Sequence, residues 1–242
     1  MTDVSPQSVS RPVPAKAVLR PRDAATLILI DRSGSAPKVL LGRRNEKHVF
    51  MPGKFVFPGG RVEPQDRLMP VVKPLHPQTE AKLMEKMSRP SLARARALAL
   101  AAIRETFEET GLVLGGKGPQ AARIPGGAWA EFAATGFYPD LSLVHYVARA
   151  ITPPGRQRRF DARFFCADAD AIVHRVENMV HADAELVELA WIPIAEAKRL
   201  DIPPITGMIL DELQGLSAAG MTYDRPVPFF RKLGRTHRRE II

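Results

Sequence analysis

Three glutamates follow Arg104 in the run Arg104-Glu105-Thr106-Phe107-Glu108-Glu109-Thr110-Gly111. On a helix turning by about 100° per residue, Glu105, Glu108 and Glu109 fall within one arc of roughly 100°, and Leu100, Ile103 and Phe107 occupy the other side. Three like charges on one face repel one another unless a cation sits among them. Carboxylate oxygens at i, i+3 and i+4 are a hard ligand set suited to Mg²⁺ or Mn²⁺, with positions left over for water and substrate oxygens. Simple solvation of an acidic face is the alternative. Two features favour the cation. The glutamates occupy the last turns of the helix, where the macrodipole disfavours negative charge. They also lie downstream of Phe57-Pro58-Gly59-Gly60, whose paired glycines let a backbone approach a ligand closely.

The elements that must position these groups read as follows. Ser91 as N-cap and Gly111 as stop delimit a helix rich in alanine. Strands are expected at 24–30 and 38–41, paired as a hairpin through the turn Asp31–Pro37, with a short strand at 54–57 leading into the glycines. Residues 79–87, 128–134, 194–200 and 206–214 read as helices, and 141–151, 163–167 and 185–192 as strands. Strands interleaved with helices imply an α/β layered domain. Residues 1–22, rich in Pro and Ser, read as a flexible arm, 23–220 as one domain, and 221–242 as a peripheral basic tail.

The 242 residues carry 35 Lys and Arg against 26 Asp and Glu, a formal charge of +9, so an anionic partner is the first to consider. The single cysteine, Cys166, rules out an intramolecular disulfide and a cysteine-cluster metal site, and its apolar neighbours mark it as a buried hydrophobe. No apolar run is as long as a membrane span, and the N-terminus lacks the apolar core of a secretory signal. A cytoplasmic location is the expectation.

The motif resembles the Nudix hydrolase box, G-x5-E-x7-R-E-U-x-E-E-x-G-U, with U an aliphatic residue. Gly60 begins it, Asp66 stands in the first acidic slot, and Arg104, Glu105, Glu108, Glu109, Gly111 and Leu112 complete it. Thr106 replaces an aliphatic residue, Asp66 replaces Glu, and about 30 residues, 67–96, are inserted inside the box. That insertion, with Leu40, Leu41, Arg44, Gly53 and Phe57–Gly60, resembles the peroxisomal coenzyme A diphosphatase-like branch. The coenzyme A signature is matched in part, with Gly42, Asn45 and Val49 at variance with it.

The resemblance implies a mixed β-sheet sandwiched between α-helices (α/β/α). It also implies hydrolysis of a nucleoside diphosphate linked to another moiety, with coenzyme A or acyl-coenzyme A favoured. ADP-ribose, NADH and other dinucleotides are the alternative substrates, and a non-catalytic nucleotide or nucleic-acid-binding protein is the alternative class. Glu105, Glu108 and Glu109 would hold Mg²⁺ or Mn²⁺, and Arg104 would orient a glutamate such as Glu108. Glu185 or Glu188 would serve as general base, with Asp183 and His181 as weaker candidates. Arg44, Gly59 and Gly60 would contact substrate. Arg156, Arg158 and Arg159, after the turn Pro153-Pro154-Gly155, could grip a phosphate. Phe50 and Met51 are candidates for an apolar groove, core packing being the other reading. The expected partner is a small anionic nucleotide diphosphate. Aromatic–basic interleaving of the kind that binds nucleic acid is missing, no membrane is called for, and a homodimer is left open. The insertion itself reads equally as a lid or as a dimer contact.

Overall fold

The computed structural model describes residues 19–49, 51–118, 123–219, 221–234 and 236–242. Residues 1–18 of the expected arm, and Phe50, lie outside these. The apolar run Ala24–Ile30 becomes the middle of β1 (Arg22–Asp31). Its residues are buried on both faces, as a central strand between two helical layers requires. β1 meets β2 (Lys38–Arg44) only beside the turn, at Ile30↔Val39 and Asp31↔Lys38. Beyond that the two strands part. β2 continues against β3 (Phe55–Val56) and along β9 (Leu186–Pro193). The start of β1 takes β4 (Gly59–Arg61) on that side, and β7 (Phe160–Asp168) runs parallel to it on the other. This splaying opens the sheet at the glycine pair.

Next to β7 lie β6 (His145–Ile151), β10 (Pro228–Leu233) and β11 (Thr236–Ile241), in the order β11-β10-β6-β7-β1-β2-β3. One face is covered by α1 (Pro77–Met84), α2 (Leu92–Thr110) and α3 (Ala128–Ala134) around Leu27, Leu29, Phe107 and Trp129. The other face carries α4 (Ile194–Ala197) and α5 (Pro204–Ala219) around Ile28, Ile30, Ile209 and Leu213. A small second sheet pairs β5 (Leu112–Leu114) with β8 (Ile172–Arg175). The architecture is thus α/β/α. No helix among the described residues is long and apolar enough to cross a membrane.

One expectation is revised. Residues 228–241 are not a peripheral tail but two strands of the main sheet. Val227, Phe229, Phe230 and Ile242 are buried, and the basic residues face outward, where Arg231 pairs with Glu240 and Arg239 with Glu212. Residues 67–96, expected as an inserted segment, contribute to the core. Met69, Leu75, Leu83 and Met87 pack with α2 and the sheet. Arg149 of β6 donates to the Lys86 carbonyl (3.0 Å), and Lys82 of α1 donates to the carbonyls of Tyr223 (2.7 Å) and Arg225 (2.6 Å).

Candidate active site

α2 brings the box residues to the open end of the sheet. Ser91 caps it, its hydroxyl accepting from Arg94 N–H at 3.2 Å, and Gly111 closes it through a bond to the Phe107 carbonyl. Thr106, the departure from the aliphatic pattern, is fully buried with its hydroxyl donating to the Ala102 carbonyl (2.9 Å), so the polar group is satisfied within the helix.

Arg104 organises the acidic residues. It is buried at 3% exposure and reaches Asp66 through Nε (2.8 Å) and Nη2 (3.2 Å). Nη1 reaches Glu108 (2.8 Å) and Glu105 (2.9 Å), and Nη2 also donates to the Arg61 carbonyl (2.8 Å). Asp66, with no exposed surface, accepts in addition from Trp129 Nε1 (2.9 Å) and Glu63 N–H (2.7 Å). The shorter acid is therefore fully bonded at its position. Trp129, on α3 far from the motif, is a supporting residue that no sequence spacing signalled.

Glu105 lies beneath Gly60, where an added Cβ would stand 2.3 Å from a carboxylate oxygen. Only glycine permits that approach. Gly59 N–H donates to Glu109 (3.2 Å), and β1 holds both glycines through the registers Thr26↔Gly59 and Ala25↔Gly60. Burial, with the nearby charges of Glu108 and Glu185, pushes the Glu105 carboxyl up to about 7 against the pull of Arg104. Burial and the charges of Glu185 and Glu105 push Glu109 well above the usual carboxylate range, with Arg44 opposing. Glu108 is more open, its side chain 40% exposed.

Glu185, just ahead of β9, completes the cluster and is ion-paired to Arg44 on β2. Glu188 is turned away and pairs with Arg43 (2.8 Å), and Asp183 pairs with Lys47 at the surface (3.0 Å). His181 accepts from Asp183 N–H, outside the cluster. Arg156, Arg158 and Arg159 sit at the β6–β7 turn. Arg156 and Arg158 are exposed, and Arg159 is spent on the carbonyls of Thr152 (3.1 Å) and Leu19 (2.5 Å). Among the described residues no contact joins these arginines to the glutamates. Met51 has φ +55 in a tight turn and is partly buried. Cys166 is buried, its thiol pushed up to about 12 by desolvation, as befits an inert hydrophobe.

The arrangement suits a hard cation. Burial and neighbouring charge disfavour ionisation of Glu105 and Glu109, a cost that a bound cation would offset, and carboxylate oxygens are the donors that Mg²⁺ and Mn²⁺ take. Among the described residues no three acidic, His or Cys side chains already converge as a cation cage. Arg104 Nη1 engages both Glu105 and Glu108.

No protein-family model matches the chain. Solved structures do. A Nudix hydrolase from Alicyclobacillus acidocaldarius superposes with a TM-score of 0.60 at 24% identity, covering 86% of this chain and 100% of that one. The chain therefore has the fold of the Nudix hydrolases. Lower similarity is found to RenU, a Nudix hydrolase from M. smegmatis (TM-score 0.43, 18% identity, 84% of this chain and 90% of that one). It is also found to the Nudix domain of Shewanella oneidensis NrtR complexed with ADP ribose (TM-score 0.44, 12% identity, 81% and 88%).

Proposed function

We propose that this protein is a metal-dependent pyrophosphohydrolase that cleaves the diphosphate linkage of a nucleoside diphosphate joined to another moiety. The observation that carries this reading is the placement of Glu109 against Gly59 N–H and of Glu105 beneath Gly60, with Glu185 near enough for its charge to act on both, so that burial first and neighbouring charge second disfavour ionisation of Glu105 and Glu109. Glu105, Glu108 and Glu109 would hold Mg²⁺ or Mn²⁺. The chemistry a cation held there would supply is neutralisation of diphosphate charge and activation of water.

The chain's own residues do the rest. Arg104 fixes the rotamers of Glu105 and Glu108. Glu185, 40% exposed and facing the buried pair, accepts a proton from the attacking water. Arg44 balances Glu185 and presents a guanidinium to a phosphate oxygen. Gly60 leaves room for the Glu105 carboxylate, and Gly59 lets the chain lie close against Ala25 and Thr26 of β1. Arg156 and Arg159 have no part in this account.

Coenzyme A or acyl-coenzyme A is the substrate we favour, on the partial signature around Arg44. Of that signature, Leu40 and Leu41 are core residues of β2, so Arg44 and the glycine pair carry its chemical content. A panel of coenzyme A, acetyl-coenzyme A, ADP-ribose and NADH with Mg²⁺ or Mn²⁺ tests both levels. Cleavage of the first pair supports the favoured substrate, cleavage of only the second pair replaces it, and cleavage of none refutes the activity.

A further inference from the structure

Glu185 is a carboxylate set beside two others, and electrostatics alone would swing it toward solvent. Arg44 restrains its tip, and the backbone beneath is held by an uncharged side chain. Asn45 is buried, 6% exposed, and its Nδ2 donates to the carbonyls of Ala182 (2.8 Å) and Ala184 (3.2 Å). Its Oδ1 accepts from Lys47 N–H (3.0 Å), and its own N–H donates to the Glu185 carbonyl (3.0 Å). Both amide donors are thus used on the segment that ends at Glu185, and the acceptor is used within Asn45's own turn.

The other side of Glu185 is fixed by packing. Leu186, fully buried, lies over Gly42, where an added Cβ would stand 2.3 Å from Leu186 Cδ1. The β2–β9 register shifts between Arg43 and Arg44, and this irregularity brings Arg44 opposite Leu186, next to Glu185.

We propose that Asn45 is a positioning residue for Glu185: its amide clamps residues 182–185 so that the carboxylate faces the metal-ligand glutamates, and Gly42 admits the Leu186 anchor that completes the clamp. This rests on the reading that Glu185 acts in diphosphate hydrolysis. Asn45 touches neither substrate nor reacting atoms, so its effect passes entirely through Glu185.

The test uses Asn45→Asp, Glu185→Gln and the double variant in the full chain, assayed on whichever of coenzyme A, ADP-ribose and NADH the wild type cleaves. Aspartate is nearly isosteric and keeps the acceptor for Lys47 N–H but cannot donate to the two carbonyls. Asn45→Asp should lower kcat by about ten- to a hundredfold, the usual scale for losing an orienting partner, with KM within about twofold. The double variant should be no slower than Glu185→Gln alone. Independently of turnover, hydrogen–deuterium exchange of the metal-free protein should show faster exchange over 182–187, with α2 and β1 unchanged. Wild-type turnover in Asn45→Asp, or multiplicative losses in the double variant, would overturn the positioning role. Wild-type turnover in Glu185→Gln would instead refute the role of Glu185 itself, and the proposal with it.

Discussion

The clearest consequence of the glutamate cluster is a pH dependence of stability that metal should erase. The Glu105 carboxyl stands at about 7 in the folded protein and at its ordinary 4.5 when unfolded. Between those values the folded state holds a proton that the unfolded state has released, so stability falls as pH rises from 4.5 to 7 and levels off above. The full loss is about 3 kcal/mol at 1.36 kcal/mol per unit, and Glu109 adds to it in the same direction. His145 works the other way. Burial holds it below 6.5, so it favours the folded state as pH rises through that region. Comparing wild type with Glu105→Gln cancels the histidine. In urea titrations with EDTA, the stability of Glu105→Gln relative to wild type should improve by about 2 kcal/mol between pH 5 and pH 7.5, the part of the full shift that falls in that window. Saturating Mg²⁺ should flatten the wild-type curve, since the cation replaces the proton. A difference that stays constant with pH in EDTA would refute the reasoning, because it would mean that Glu105 ionises freely in the fold.

Other consequences can be checked separately. Gly60→Ala places a methyl group against the Glu105 carboxylate, the movable end of a side chain. The melting temperature should hold while kcat falls by about a hundredfold from misplacement of the ligand, and unchanged kcat would count against the close approach. Asp66→Ala strips a buried partner from Arg104 and Trp129 and should cost about 3–5 kcal/mol in urea unfolding. A loss below about 1 kcal/mol would show the pair to be solvated. Deleting residues 228–242 removes Phe229, Phe230 and Ile242 from the core, at about 2 kcal/mol or more for each large apolar side chain. The shortened chain should lack a cooperative melt by circular dichroism, whereas a dispensable tail would leave the transition intact.

Sequence patterns carried the parts of the fold where one physical demand dominates. α2 was legible because alanine content, an N-cap serine and a glycine stop agree, and β1 because a strand buried on both faces must be a continuous apolar run. The box glutamates and Arg104 were legible from spacing on one helix. What spacing could not carry lies in long-range packing. β5 and β8 span only three and four residues, too short for any period. β10 and β11 read as solvated charge because their outward residues are basic, and their few apolar residues matter only once β6 lies beside them. The buried residues of 67–96 are separated by prolines and polar stretches, so their common destination was hidden. At the site, Trp129 bonds Asp66 across 63 positions, and Asn45 reaches residues 137 and 139 positions away. The arginines at the β6–β7 turn show the converse: residue type suggested a phosphate grip, and the structure engages Arg159 with backbone carbonyls instead.

The central claim is that Glu109, buried beneath Gly59, is a metal ligand of a diphosphate-cleaving site. The most direct measurement is release of nucleotide products from coenzyme A, ADP-ribose and NADH by wild type and Glu109→Gln, with Mg²⁺ and with EDTA, alongside Mn²⁺ affinity by titration calorimetry. The account predicts metal-dependent cleavage of at least one substrate by the wild type, and loss of both turnover and tight Mn²⁺ binding in a variant that still folds. Cleavage that persists in EDTA, or equal turnover in Glu109→Gln, would contradict it.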